Sequence, residues 1–95
     1  MTKKEMILLL RSKNILSLRE CIEYFLPYKL EVDCSYENLN RSMDVFGINM
    51  FSDTCVSSKV SINDIKDVDA KWDYYRGHFY FKTEEDFLTA KMIFL

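Results

Sequence analysis

Residues 71–87, KWDYYRGHFYFKTEEDF, carry seven aromatic side chains, one arginine and the sole histidine of the chain. Aromatic side chains favour strands, so Lys71–Tyr75 and His78–Lys82 read as two strand segments. Arg76-Gly77 lies between them. Either it is a two-residue hairpin turn, for which glycine supplies the required positive φ, or one long strand passes through with a bulge at Gly77. Both readings commit the chain to a sheet. Side chains alternate across a strand, so Phe79 and Phe81 share one face while His78 and Tyr80 share the other. Pure hydrocarbon rings belong against packed helices, and tyrosine and histidine keep a polar tip that can reach water. Phe79 and Phe81 are therefore expected in the core.

The remaining members of the stretch admit two accounts. Trp72, Tyr74, Tyr75, Arg76, His78 and Tyr80 form either a cross-strand aromatic ladder that stabilises a small sheet or an outward contact patch. Tyr, Trp and Arg dominate the hot spots of protein interfaces, and the second account takes these six as the binding residues.

Helix signals surround the strands. Thr2 caps a helix over residues 3–12, and Asn14 suits the left-handed position that ends it. Its apolar block Met6–Leu10 must pack on the chain's own domain or on a partner, and a twin copy would give a homodimer through this N-terminal helix. Ser17 and Glu20 form an S-x-x-E box ahead of Leu18, Cys21, Ile22, Phe25 and Leu26, which share one helical face. Pro27 stops that helix. Tyr28, Leu30, Val32 and Cys34 alternate with Lys29, Glu31 and Asp33 as a half-buried strand. Ser35 caps a third helix with Tyr36, Leu39, Met43 and Phe46 as its buried stripe, and Gly47 ends it. Residues 48–55 read either as an irregular link or as one containing a short strand. CVSSKVSI, residues 55–62, alternates again as a strand, and NDIKDVDA reads as a turn or a single helical turn. Thr83 with Asp86 caps a last helix whose buried side is Phe87, Leu88, Ala90, Ile93 and Phe94.

The expected fold is one α+β domain spanning residues 1–95, with a small antiparallel or mixed sheet of three to four strands, helices packed on one face, and an N-terminal helical pair. Its second sheet face would then be left for solvent or a partner. A chain of 95 residues, 48% of them apolar and only two glycine, can bury a core without disulfides.

The net charge of −2 gives no bulk attraction to nucleic acid or to an anionic membrane. Lys3, Lys4, Arg11 and Lys13 against Glu5 make residues 1–14 basic, whereas residues 30–55 balance to −4. Glu31, Asp33, Glu37 and Asp44 are thus a second candidate surface, an acidic one for a basic partner. Exposed rings beside Arg76 and Lys71 could stack single-stranded bases, but Asp67, Asp69 and Asp73 lie next to them, which ranks nucleic acid below protein as a partner.

Three cysteines, Cys21, Cys34 and Cys55, fit neither a complete set of intrachain disulfides nor a zinc knuckle. No metal or cofactor is expected. A Cys–His–Asp set exists on paper, from Cys34 or Cys55 with His78 and with Asp33 or Asp73. The sequence has no nucleophile elbow and no phosphate-cradling glycine loop, so no catalytic residue is assigned and the chain reads as non-enzymatic. Met6–Leu10 is shorter than a signal-peptide core or a membrane span, and reduced thiols suit the cytoplasm. A soluble cytoplasmic protein is expected.

EVDCSYENLNRSMD and GHFYFKTEEDFLTAKMIF resemble small uncharacterised proteins of tailed bacteriophages. Such proteins join a strand ending in Asp/Cys, a capped helix, an aromatic strand and a Y-F-K-[ST/N]-E-E-D segment. Phe79-Tyr80-Phe81-Lys82-Thr83-Glu84-Glu85-Asp86 matches the last element, although Phe87 stands where alanine is commoner and residues 2–26 lie outside the resemblance. The resemblance implies an inhibitor of a bacterial host or antiviral-defence complex, of CRISPR type or another. It would act by steric occlusion and need no active site. A self-associating regulatory subunit and a nucleic-acid-binding regulator are the rival readings.

Overall fold

The structure is a computed structural model that describes residues 1–52 and 59–94. It is an α+β fold. Helices α1 (Lys3–Ser12) and α2 (Leu18–Phe25) precede strand β1 (Tyr28–Leu30). Helix α3 (Tyr36–Phe46) follows, then a 3₁₀ turn at Ile62–Asp64, strands β2 (Trp72–Tyr75) and β3 (His78–Phe81), and helix α4 (Glu84–Phe94). The strands form one antiparallel sheet in the order β1-β3-β2.

Side chains that satisfy orphan amides set the helix starts. Thr2 and Glu5 exchange hydrogen bonds at 3.0 and 3.1 Å in a capping box. Ser17 accepts from the Glu20 amide, and its hydroxyl donates to the Glu20 carboxylate. Ser35 and Thr83 accept from the amides of Asn38 and Asp86. Asn14 adopts the expected left-handed conformation after α1, with φ 57°.

The hairpin reading of Arg76-Gly77 is the correct one. Both residues have positive φ, 46° and 82°, as the tight turn between antiparallel strands requires. Tyr75 pairs with His78 and Trp72 with Phe81. The turn also explains why β1 stops at Leu30 although the alternation runs on to Cys34. Leu30 pairs with Phe79, and β3 begins only one residue before Phe79, at the turn, so the chain beyond Leu30 runs out of partner strand. Val32 and Cys34 still pack against the core on their expected side.

Each sheet face carries its own apolar cluster. On one, Phe79, Phe81, Trp72 and Leu30 pack with Phe46 of α3 and Ala90 of α4. Phe81 meets Phe46 edge-on at 5.1 Å, and Phe79 lies 5.2 Å from Phe94. The expectation of a free second face does not hold. Tyr80, on that face, is buried with Met6, Ile7 and Leu10 of α1, Cys21 and Ile22 of α2, and Met50, Phe51 and Ile65 of the connecting segment. The helical pair thus spends its apolar side on the sheet, and Leu8 is the residue of its central block left exposed.

The segment after α3 runs beside β2, with Met50 N–H donating to the Trp72 carbonyl at 3.2 Å and a lone bridge between Phe51 and Ile65. The edge of β2 is thereby covered. The strand expected over residues 55–62 falls partly on 53–58, outside the described residues. Within the described part, Val60 is buried but in no strand and Ile62 begins the 3₁₀ turn. Among the described residues, no helix is long and apolar enough to cross a membrane.

Candidate functional site

The hairpin register divides the six expected binding residues between two faces. A two-residue turn places Trp72 opposite Phe81 and Tyr74 opposite Phe79, and it places Asp73 opposite Tyr80. Directly paired residues share a face, so Trp72 and Tyr74 lie with the phenylalanines while Tyr75, His78 and Tyr80 lie on the side of α2. They are not one patch. Two of them are core: Trp72 is 1% and Tyr80 2% exposed. Trp72 is sealed by α3, and its indole N–H donates to the Gly47 carbonyl at 2.7 Å. Tyr74, Tyr75 and His78 are half-buried, and Arg76 is exposed with its guanidinium 5.4 Å from the Tyr75 ring centre.

Helix α3 supplies what the ribbon does not. Its inward line is half-buried Leu39 with buried Ser42 and Phe46, rather than the stripe with Tyr36 and Met43. Those two residues, seven apart, sit two turns from each other on the flank of that line. Tyr36 is 82% and Met43 48% exposed. With Leu39, Trp72, Tyr74, Asn49 and Lys66 they line a groove of about 370 Å³. Tyr74 is offset-stacked on Trp72 at 6.0 Å, which fixes the groove wall. Of the second candidate surface, Glu37 and Asp44 lie on the same helix as Tyr36 and Met43, while Glu31 and Asp33 lie between β1 and α3. Glu31, Asp33, Glu37 and Asp44 are all exposed. Glu37 is bridged to Arg41 at 3.2 Å and Glu31 to Lys29 at 3.9 Å.

A second groove, of about 390 Å³, lies between α2 and strands β1 and β3. It gathers Tyr75, Arg76, His78 and Tyr80 with Arg19, Glu23 and Lys29. Burial pushes the Tyr80 phenol above its ordinary pKa, and the nearby Glu23 carboxylate adds to the effect.

Asp73 is the residue that sequence reasoning missed. It is 2% exposed, and it holds the connecting segment to the sheet. Its Oδ2 accepts from the Phe51 amide at 2.8 Å and its Oδ1 from the Asn49 side-chain amide at 3.1 Å. Asn49 also donates to the Phe51 carbonyl at 2.8 Å and accepts from Lys66 Nζ at 3.2 Å. A buried carboxylate is tolerated because several donors surround it.

The Cys–His–Asp set does not assemble around Cys34. Its thiol donates to the backbone carbonyl of His78 at 3.5 Å rather than to the imidazole. Burial, with Asp33 nearby, pushes the thiol above its ordinary pKa, which opposes thiolate formation. Cys55 lies outside the described residues. Among the described residues, no group of three or more His, Cys, Asp or Glu side chains is placed to hold a metal ion.

The chain matches no protein-family model, no curated protein and no solved structure.

Proposed function

We propose that the chain is a small non-enzymatic protein-binding module that captures its partner along the groove between α3 and the hairpin. The observation that carries this reading is the exposure of Tyr36, 82%, and Met43, 48%, beside the fixed wall of Tyr74. Among the described residues Tyr36 belongs to neither apolar core cluster, yet it lines a concave apolar site. Exposed tyrosine and methionine around such a pocket are the residue types that anchor interfaces. Glu37 and Asp44 on the same helix are exposed and add negative charge beside the anchor, with Glu37 partly offset by Arg41. The fitting partner is a protein that inserts an apolar side chain from a basic surround, with charge setting the rate of approach.

The resemblance of EVDCSYENLNRSMD and GHFYFKTEEDFLTAKMIF to bacteriophage proteins supports the reading of a phage-encoded inhibitor that blocks a bacterial host or antiviral-defence complex by occupying a surface it needs. The experiment is affinity capture from bacterial lysate with quantitative mass spectrometry, using the wild type and a Tyr36→Ala/Met43→Ala variant. A specific basic protein should be retained by the first and lost by the second at equal thermal midpoint. Equal retention by both excludes the α3 groove. Self-association is the rival, favoured by the exposed pair Leu8 and Ile62 at a shallow apolar site beside α1. A strict monomer across a light-scattering concentration series removes it.

A further inference from the structure

The groove between α2 and the sheet has a different chemistry from the α3 groove and stands independently of it. The chain carries a net charge of −2, yet Arg19 from α2, Lys29 from β1 and Arg76 from the turn line this groove, with Glu23 in its wall and Glu31 beside Lys29 as the nearby carboxylates. The fold, not the sequence, collects these cations from three elements. Arg19 is only loosely paired with Glu23, at 3.7 Å, and Lys29 with Glu31, at 3.9 Å. Exposed pairs of this kind are weak, so an incoming anion can displace them.

The rest of the lining is aromatic. Tyr80 forms the buried floor, and Tyr75 and His78 form half-buried sides. The volume, about 390 Å³, lies within the range of small-ligand sites, about 300–1,000 Å³. Two guanidinium forks and an ammonium suit a phosphate dianion better than a single carboxylate, and half-buried rings offer stacking to a planar base.

We infer that this groove binds a nucleoside 5′-phosphate unit, with the phosphate held by Arg19, Lys29 and Arg76 and the base set against Tyr75 and His78. The unit comes either from a free nucleotide or from a single strand.

Calorimetric titration of the full chain at low salt tests this, with AMP, adenosine, inorganic phosphate and a single-stranded DNA decamer as probes. AMP should bind at least ten-fold more tightly than adenosine or phosphate alone. Arg76→Asn should weaken AMP at least ten-fold without lowering the thermal midpoint, since asparagine tolerates the left-handed conformation of that turn position. Lys29→Ala, on an exposed strand position, should weaken it in the same sense. A decamer that competes with AMP assigns the source to a strand, and one that does not assigns it to the free nucleotide. No heat with AMP, or AMP binding unchanged in both variants, overturns the inference. So does a glutamate-rich peptide that binds the groove when AMP does not. Capture through α3 is unaffected by any of these results.

Discussion

Asp73 Oδ2 accepts a hydrogen bond from the backbone N–H of Phe51 at 2.8 Å. This contact ties the segment after α3 to β2, and it turns a strand carboxylate into an internal clasp. Asp73→Ala removes the acceptor for the Phe51 and Tyr74 amides and the Asn49 side chain, and leaves the Phe51 amide buried without it. The expected loss is about 2–3 kcal/mol, read as a lower urea midpoint. Asn49→Ala should cost less, because the Phe51 amide keeps its bond to Asp73. Equal small losses from both would contradict the clasp.

Tyr80 and Tyr74 come from one hairpin but should respond differently to truncation. Tyr80 is closed in between α2 and the sheet, so Tyr80→Ala opens a core cavity and should cost roughly 3–5 kcal/mol. Tyr74 is half-buried, and Tyr74→Ala should cost only about 1 kcal/mol. Chemical denaturation of the two variants gives the ratio directly.

Tyr80 also predicts an alkaline limit. Its folded pKa lies above the ordinary value of 10.0, chiefly through burial. Below that ordinary value both states hold the proton and the phenol adds no pH dependence. Above it the unfolded chain releases the proton first and binds fewer protons than the folded one, so stability falls as pH rises. Tyr80→Phe removes this term. Its stability relative to wild type should improve above about pH 10, compared with their difference at neutral pH.

The turn is tuned to its two residues. Gly77 has φ 82°, so Gly77→Ala should cost roughly 1 kcal/mol even though nothing obstructs a Cβ there. A thermal midpoint unchanged by the substitution would mean that the turn is not the left-handed one described.

Local chemistry was the legible part of the sequence. Thr2, Ser17, Ser35 and Thr83 cap the helices as read, and Asn14 and Gly47 end theirs, because capping depends only on neighbours within a few residues. The α+β class and the helical pair followed from the same signals. The pleat across the turn was harder. Alternation had sorted Phe79 and Phe81 from His78 and Tyr80 correctly, but Trp72 and Tyr74 were grouped with the wrong set. A two-residue turn makes even positions before it share a face with odd positions after it, and that signal was available once the hairpin was accepted. The burial of Tyr80 and Asp73 was not readable locally, since it depends on α1, α2 and the segment around Met50 folding back over the second face. On α3, Tyr36 and Met43 fitted a helical stripe as well as Ser42 does not, and only packing against the sheet shows that serine is buried in their place.

Trp72 is the sole tryptophan in the chain, and it sits where α3, the sheet and the α3 groove meet. Acrylamide quenching of its fluorescence therefore tests most directly whether helices close over the aromatic ribbon. A native protein with blue-shifted emission and quenching far below that of the urea-unfolded chain is the expected result. Emission and quenching already equal to those of the unfolded chain would take α3 off the sheet, and the groove that carries the proposed function would go with it.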